Sequence, residues 1–177
     1  LSDQVPKIED NFEQIISPET AYQMISMLEG VVQRGTGRKL KHLNLNLAGK
    51  TGTTNNNTDT WFIGFTSKLV VGIYVGFDEP ASLGRYETGG KTAMPIFKKF
   101  ILNSISKQDA TPFKVPDGIV MMVVDPATGQ KVDFNSKNSI YESFKEKNIS
   151  EADIENNYND LIFNNSKVGT KEIIRFY

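Results

Sequence analysis

The run Lys50-Thr51-Gly52-Thr53, here called the KTGT segment, has the strongest potential for chemistry in this sequence. Its lysine supplies a positive potential, its threonine hydroxyls bind a carboxylate, and its glycine lets a ligand lie against the backbone. On an edge strand, these groups form one wall of a cleft that binds an anionic ligand. Such short runs also occur by chance, so the interpretation depends on the elements that position them.

Two nucleotide-binding interpretations of this region fail on spacing. Gly49-Lys50-Thr51 matches the end of a phosphate-binding P-loop, but the position of the required first glycine is occupied by Asn44. Gly35-Thr36-Gly37 begins like a dinucleotide fingerprint, but its third glycine falls at Leu40. We therefore expect neither a nucleotide nor any other cofactor.

Composition narrows the chemistry further. The chain has 177 residues, no cysteine and a single histidine, His42. Disulfides and thiolate zinc sites are thereby excluded, and we expect no metal site. His42 belongs to a basic stretch that favours an exposed position over a catalytic one. The residues of this basic stretch are Arg34, Arg38, Lys39, Lys41 and Lys50. Without interleaved aromatic residues, nucleic acid is the weaker explanation of the charge, and we expect no nucleic-acid partner.

The hydrophobic pattern predicts an antiparallel meander next to a helix. The helix begins at Ser17-Pro18-Glu19, which suits an N-terminus, and ends at Gly35-Thr36-Gly37. Alternation at residues 43–47 predicts a strand that runs directly into the KTGT segment. Residues 61–65 and 69–75 predict two further strands joined by a short turn.

A second helix and a small extension follow the meander. The helix is predicted from Ala93 to about Ser106, and it would cover the sheet. Residues 119–124 predict a strand and residues 125–129 a turn. From Asn135 onward the composition is typical of weak order, and it offers no chemistry. The fold class is therefore α+β, a three-strand antiparallel meander covered by helices plus a small C-terminal β-containing extension.

The charge distribution predicts two domains. Residues 1–107 hold 12 Lys and Arg against 10 Asp and Glu, whereas residues 108–177 hold 8 against 11. This asymmetry supports a boundary near Lys107. The second part, residues 108–177, is expected to be partly irregular.

Further motifs surround the KTGT segment in a fixed order. They are Ser17-Pro18-Glu19-Thr20-Ala21-Tyr22-Gln23-Met24, Gly30-Val31-Val32-Gln33-Arg34-Gly35-Thr36-Gly37, Trp61-Phe62-Ile63-Gly64-Phe65, Val75-Gly76-Phe77-Asp78, Glu87-Thr88-Gly89-Gly90 and Pro95-Ile96-Phe97. With them, residues 15–104 closely resemble the transpeptidase domain of class A penicillin-binding proteins. Residues 125–129 and 141–145 resemble the C-terminal extension of such enzymes. The resemblance implies that residues 1–107 are the C-terminal portion of a penicillin-binding, serine β-lactamase-like transpeptidase fold.

The resemblance also implies a reaction, the acyl transfer that cross-links peptidoglycan. In that family, the serine of an S-x-x-K motif attacks a stem peptide, and β-lactams trap the same serine. By resemblance, Lys50 and Thr53 would be catalytic, because Lys50 tunes the electrostatics and the Thr53 N–H forms half of an oxyanion hole. Thr51, Gly52 and Thr53 would bind the substrate, with the two hydroxyls on its terminal carboxylate.

The sequence departs from the family in one respect, because neither S-x-x-K nor S-x-N precedes Lys50. Ser104-Ile105-Ser106-Lys107 matches the first motif by letters, but it follows the strand and ends a helix, whose dipole opposes a developing oxyanion. Ser136-Lys137-Asn138 matches the second motif in a polar loop. We therefore expect a transpeptidase fragment that is inactive alone and acylates with β-lactams only when joined to the missing part.

The resemblance also leads to expectations about the complete protein, and it leaves two alternative interpretations of the sequence. The complete protein would be anchored on the periplasmic face of the bacterial inner membrane, whereas this sequence shows no targeting signal and is expected to be soluble. Further strands would lie beside residues 69–77, so that edge would be bare here and inclined to form a homodimer. Two alternatives are a serine β-lactamase fragment and a non-catalytic interaction domain or relic of the same fold.

Overall fold

A computed structural model describes residues 13–106, 111–133 and 135–157. Two long helices and five strands are the main secondary-structure elements of these residues. The elements are α1 (Pro18–Arg34), β1 (Ala48–Thr53), β2 (Asp59–Phe65), β3 (Val70–Gly76), α2 (Ala93–Ser104), β4 (Ile119–Val124) and β5 (Ile140–Lys145). Both sheets are antiparallel and no α-helix of the described residues connects two paired strands, so the predicted α+β class is confirmed. Within the described ranges, no helix combines the length and the apolar composition that crossing a bilayer requires.

Helix α1 begins and ends as its sequence predicts. The Ser17 side chain accepts a hydrogen bond from the Thr20 N–H at 3.3 Å, and Pro18 occupies the first turn, where its missing N–H costs nothing. At the other end, the Gly35 N–H donates to the carbonyls of Gly30 and Val31. The bond to Val31 satisfies one of the four carbonyls that the end of a helix leaves without intrahelical partners.

Residues 43–47 do not form the strand that their alternation predicts. A 3₁₀ helix spans Arg38–Leu43, and Asn44 follows it in the left-handed region with φ 52°. That backbone angle is incompatible with an extended strand, so β1 begins only at Ala48. The leucines are nevertheless directed inward, because Leu47 is buried and Leu43 and Leu45 pack against the core.

The three-stranded sheet has the predicted meander order β1-β2-β3, and both pairs are antiparallel. Alternation gives it two faces. The buried face carries Thr51, Thr53, Thr60 and Phe62, and the exposed face carries Lys50, Trp61, Ile63, Val70 and Tyr74. Helix α2 lies against the buried face, where the ring centroids of Phe62 and Phe97 are 4.8 Å apart. The principal core therefore lies between this face and the helices.

The C-terminal extension contains a two-stranded antiparallel sheet of β4 and β5. Strand β4 and the turn after it match the prediction, since the Asp125 carboxylate accepts hydrogen bonds from the N–H groups of Ala127 and Thr128. Our expectation of weak order from Asn135 onward is wrong for residues 140–145, which form β5 and contribute Phe144 to a second core. Residues 151–157 form a further short helix. The predicted domain boundary at Lys107 lies outside the described residues.

Candidate active-site wall

The KTGT segment lies on β1, an edge strand that pairs only with β2 within the described sheet. Its side chains alternate: Thr51 and Thr53 lie on the buried face, and Lys50 lies on the exposed face. The Lys50 ammonium donates to the carbonyl of Thr51 at 2.9 Å. Thus the two hydroxyls lie on the same face of the strand, and the Lys50 ammonium, from the opposite face, lies close to the backbone of the strand.

Thr51 is held by the turn that follows α1. Its hydroxyl oxygen lies 3.1 Å from that of Thr36, at hydrogen-bonding distance. Each hydroxyl has one proton and two lone pairs. When Thr36 donates to Thr51, the Thr51 proton is therefore free for a ligand oxygen. Sequence reasoning missed Thr36 as a site residue, although it singled out Gly35-Thr36-Gly37 as the end of the helix.

Thr53 is held by the loop that precedes α2. The Gly89 N–H donates to its hydroxyl at 3.1 Å, which leaves the hydroxyl proton of Thr53 available. Gly89 is buried over the Gly52–Trp61 pair, and a β-carbon there would lie 2.5 Å from the Gly52 carbonyl oxygen and would also contact the Trp61 carbonyl. Glycine is thus required by close packing. The motif Glu87-Thr88-Gly89-Gly90 was part of the family resemblance, but its contact with Thr53 was not foreseen.

A polar turn closes β1 against β2 directly after the KTGT segment. Thr54 and Asp59 exchange backbone and side-chain hydrogen bonds, with the Asp59 N–H donating to the Thr54 hydroxyl at 2.8 Å. The Tyr74 hydroxyl donates to the Asp59 carboxylate at 2.7 Å. This bond, with smaller contributions from Thr58 and Thr54, holds the pKa of Asp59 below its ordinary value. The turn fixes where the site strand ends.

The two serine motifs found in the sequence, at residues 104–107 and 136–138, are not part of the KTGT strand. Ser104 is the last residue of α2 and is exposed, while Lys107 lies outside the described residues. Ser136 lies in a loop, where its N–H donates to the Asp133 carbonyl. The expected helix terminus and polar loop are confirmed. Neither serine has a described hydrogen bond to a residue of the KTGT segment.

Two open cavities lie apart from the KTGT segment. One of about 320 Å³ is lined by Lys39, Leu40, His42, Met94, Pro95 and Lys98, and it contains the single histidine. The other, of about 420 Å³, lies between the start of α1 and the extension, around Glu19 and Lys145. The described residues at β1 therefore provide hydroxyls, a cation and backbone N–H groups along one open wall. Such a wall can bind a carboxylate and stabilise an oxyanion, but it supplies no nucleophile.

A protein-family model describes the same region. Residues 6–102 match the model of the penicillin-binding protein transpeptidase domain. This match covers more than half of the chain, includes the KTGT segment, and ends within α2.

Individual relatives are similar to this chain beyond the residues matched by the family model, including part of the C-terminal extension. Penicillin-binding protein 1A of Rickettsia bellii is 44% identical over an alignment of 160 positions that covers 87% of this chain and 20% of that protein. The corresponding protein of Pseudomonas aeruginosa is 42% identical over 134 residues, 75% of this chain and 16% of that protein. The crystal structure of penicillin-binding protein 1A from Haemophilus influenzae superposes with a TM-score of 0.63 at 32% identity, over 72% of this chain and 20% of that one. The chain thus spans about a fifth of the length of the relatives it matches.

Proposed function

Because the chain belongs to the penicillin-binding protein transpeptidase family of cell-wall synthesis, we propose that β1 is the carboxylate-binding wall of a D,D-transpeptidase site. The substrate is the stem peptide of peptidoglycan, and β-lactams compete for the same wall. The observation that carries the proposal is the KTGT segment on an edge strand, with two hydroxyls on one side. An edge strand leaves backbone groups without sheet partners, so a peptide can lie along it.

Each residue of the KTGT segment has a proposed role. Thr51 and Thr53 donate their hydroxyl protons to the terminal carboxylate of the stem peptide, since their oxygens already have partners in Thr36 and Gly89. The Thr53 backbone N–H contributes half of the oxyanion hole, and Gly52 leaves room for the substrate backbone. Lys50 adds positive potential at the rim of the wall, which favours both the carboxylate and the developing oxyanion.

The nucleophile comes from polypeptide beyond this sequence in our proposal. No S-x-x-K motif precedes Lys50, and the chain spans only about a fifth of its relatives. We therefore expect no acyl-enzyme when this chain is tested alone. The complete protein carries the serine and acts on the periplasmic face of the inner membrane, to which it is anchored. The matches to penicillin-binding proteins 1A support this proposal over a serine β-lactamase fragment.

Acylation by a fluorescent penicillin tests the proposal. The complete protein is expected to be labelled at a serine that precedes this sequence, and the isolated chain is expected to remain unlabelled. Thr53→Val should lower the second-order acylation rate about 10- to 150-fold, because it removes one hydrogen bond to a charged group, which is worth ~1.5–3 kcal/mol. Thr53→Ser is the matched control, because it keeps the hydroxyl.

Two results would contradict the proposal. Labelling of a serine within residues 1–177 would place the nucleophile in this chain. An acylation rate that is unchanged in Thr53→Val would remove the hydroxyl from carboxylate binding.

A role as an interaction module is a second candidate, and the free edge of β3 favours it. Strand β3 pairs only with β2 among the described strands, and Val70 on it is 70% exposed. Edges of this kind pair readily with other strands. We propose that this edge forms a homodimer when the chain is alone.

A further inference from the structure

The C-terminal extension is attached to α1 by a row of polar contacts from β5. The Gln23 amide donates to the Ser143 carbonyl at 3.0 Å, and the Lys145 ammonium donates to the Thr20 hydroxyl at 2.6 Å. Further along the helix, Glu142 makes two contacts to it. Its carboxylate accepts hydrogen bonds from Ser26 at 3.1 Å and from Arg34 at 3.3 Å.

A glycine inside α1 makes room for the Arg34–Glu142 ion pair. The Arg34 side chain folds back along its own helix, and a β-carbon at Gly30 would lie 2.8 Å from its Nη2 atom. Glycine is unfavourable in the interior of a helix, so its presence needs a reason. Here the space beside the glycine is occupied by the guanidinium that reaches Glu142. Arg34 and Glu142 form the only ion pair among the described residues.

Arg34 is also the residue that directly precedes the turn holding Thr51. The N–H groups of Gly35 and Gly37 both donate to the Val31 carbonyl at 3.0 Å, so the turn is fixed to the last turn of α1. Thr36, between the two glycines, then reaches the Thr51 hydroxyl at 3.1 Å. A shift or rotation of the end of α1 therefore moves Thr36 relative to the site strand.

We propose that Glu142 is a positioning residue for the carboxylate-binding wall. It acts through Arg34 and Ser26 on the end of α1, and through Thr36 on the orientation of the Thr51 hydroxyl. The inference rests on the proposed function of β1, and it assigns to the extension a role in substrate binding by the transpeptidase site. Glu142 lies 108 residues from Arg34 in the sequence and does not touch the KTGT segment in any described hydrogen bond.

Because the ion pair is partly exposed, it contributes little to overall stability. Its removal should therefore affect the position of the wall more than the folding of the chain. A mispositioned Thr51 hydroxyl weakens binding of the substrate carboxylate, whereas the chemical step depends on the serine and the oxyanion donors. We expect the apparent affinity for a penicillin to fall and the limiting acylation rate to persist.

The experiment measures acylation of the complete protein by a fluorescent penicillin over a range of concentrations, which separates half-saturation from limiting rate. Glu142→Gln and Arg34→Gln should each raise the half-saturation concentration about 3- to 10-fold, with the limiting rate within about twofold of wild type. Glu146→Gln, on the same extension and without a side-chain hydrogen bond or ion pair among the described residues, is the matched control. The charge-swapped double variant Arg34→Glu with Glu142→Arg should recover most of the affinity.

A second variant approaches the pair from the helix side. Gly30→Ala favours helix formation but places a methyl group where the guanidinium lies. We expect it to keep or raise the melting temperature and still raise the half-saturation concentration. That combination separates positioning from a general loss of stability.

Three outcomes overturn the inference or its premise, and they can be told apart. Wild-type protein that is not acylated contradicts the proposed function itself. Acylated wild type with Glu142→Gln indistinguishable from Glu146→Gln contradicts the positioning role alone. Loss of melting temperature and limiting rate together in Glu142→Gln, without recovery in the charge-swapped variant, indicates a merely structural contact.

Discussion

The two faces of the three-stranded sheet carry similar aromatic pairs in opposite surroundings. On the buried face, the ring centroids of Phe62 and Phe97 are 4.8 Å apart, and both side chains have 0% exposure. On the exposed face, the rings of Trp61 and Tyr74 are also 4.8 Å apart, but they are 42% and 49% exposed. Adjacent residues of one strand thus experience different environments, because α2 covers only one face.

The difference in burial means that the two aromatic pairs should contribute differently to the stability of the chain. The contact between rings is similar in the two pairs, so the removal of apolar surface from water should decide how much each stabilises. The KTGT segment takes part in both faces, with Thr51 and Thr53 on the buried one and Lys50 on the exposed one. The hydroxyls are held by hydrogen bonds to Thr36 and Gly89, which lie on other elements, whereas the described hydrogen bond of the Lys50 ammonium is to the adjacent Thr51 carbonyl.

The largest expected effect comes from truncating one ring on each face. Phe62→Ala should lower the free energy of unfolding by ~3–5 kcal/mol, because it creates a cavity against Phe97. Trp61→Ala, the matched variant one residue earlier, should cost only about 1 kcal/mol, the value of an exposed aromatic contact. Urea denaturation of both variants measures the two costs. Equal costs would show that ring contact, rather than coverage by α2, stabilises this sheet.

Most of the sheet follows from local pattern, and one segment shows where such a pattern fails. Alternation and apolar runs predicted β2, β3 and β4 within one or two residues at each end. The alternating segment at residues 43–47 is irregular because its leucines reach the core from a 3₁₀ helix and a left-handed Asn44. Alternating apolar residues indicate which side chains are buried, and side chains can be buried without an extended backbone. Strand β5 was not predicted because it carries polar side chains, two of which, Glu142 and Lys145, form hydrogen bonds to α1 instead of facing solvent.

The place of the KTGT segment in the fold was predictable from the sequence, whereas the residues that hold it were not. The KTGT segment was identified by its sequence and placed correctly on an edge strand. Its partners Thr36 and Gly89 lie 15 and 36 residues away from Thr51 and Thr53. Glu142 is 108 residues from Arg34. No local propensity specifies contacts of this kind, because they depend on how separate elements pack.

The second prediction compares glycines that lie on the two faces. Gly89→Ala places a methyl group against the carbonyls of Gly52 and Trp61, so the loop must move away from Thr53. We expect a loss of ~1–3 kcal/mol in stability, and a lower acylation rate in the complete protein. Gly72→Ala on the exposed face meets only Ile63, at 4.0 Å, and should change stability by less than about 0.5 kcal/mol. A Gly89→Ala variant as stable as Gly72→Ala would show that the loop does not press on β1.

The third prediction concerns self-association through the exposed edge and face. The isolated chain should form dimers at high concentration, measured by sedimentation or light scattering. Val70→Lys should weaken this association about tenfold or more, because a lysine on an edge strand opposes strand pairing. Ile96→Lys, which changes a 49% exposed residue of α2, is the control and should leave the association unchanged. A strictly monomeric wild-type chain would contradict the predicted pairing.

The smallest effect is expected at the polar end of the exposed face, where Tyr74 donates to Asp59. The bond lowers the pKa of Asp59 from its ordinary value of 3.8, so the folded state binds the proton less readily than the unfolded state. Its stabilising contribution is therefore present above about pH 3.8 and is lost as the pH falls through the lower, folded-state pKa. Urea titrations should show wild type more stable than Tyr74→Phe at pH 6, with the difference shrinking below pH 3.8. Tyr86→Phe, which alters a 64% exposed tyrosine without a carboxylate partner among the described residues, should show no such pH dependence. If the Tyr74→Phe difference were constant with pH, packing against Trp61 rather than the bond to Asp59 would be the source of its contribution.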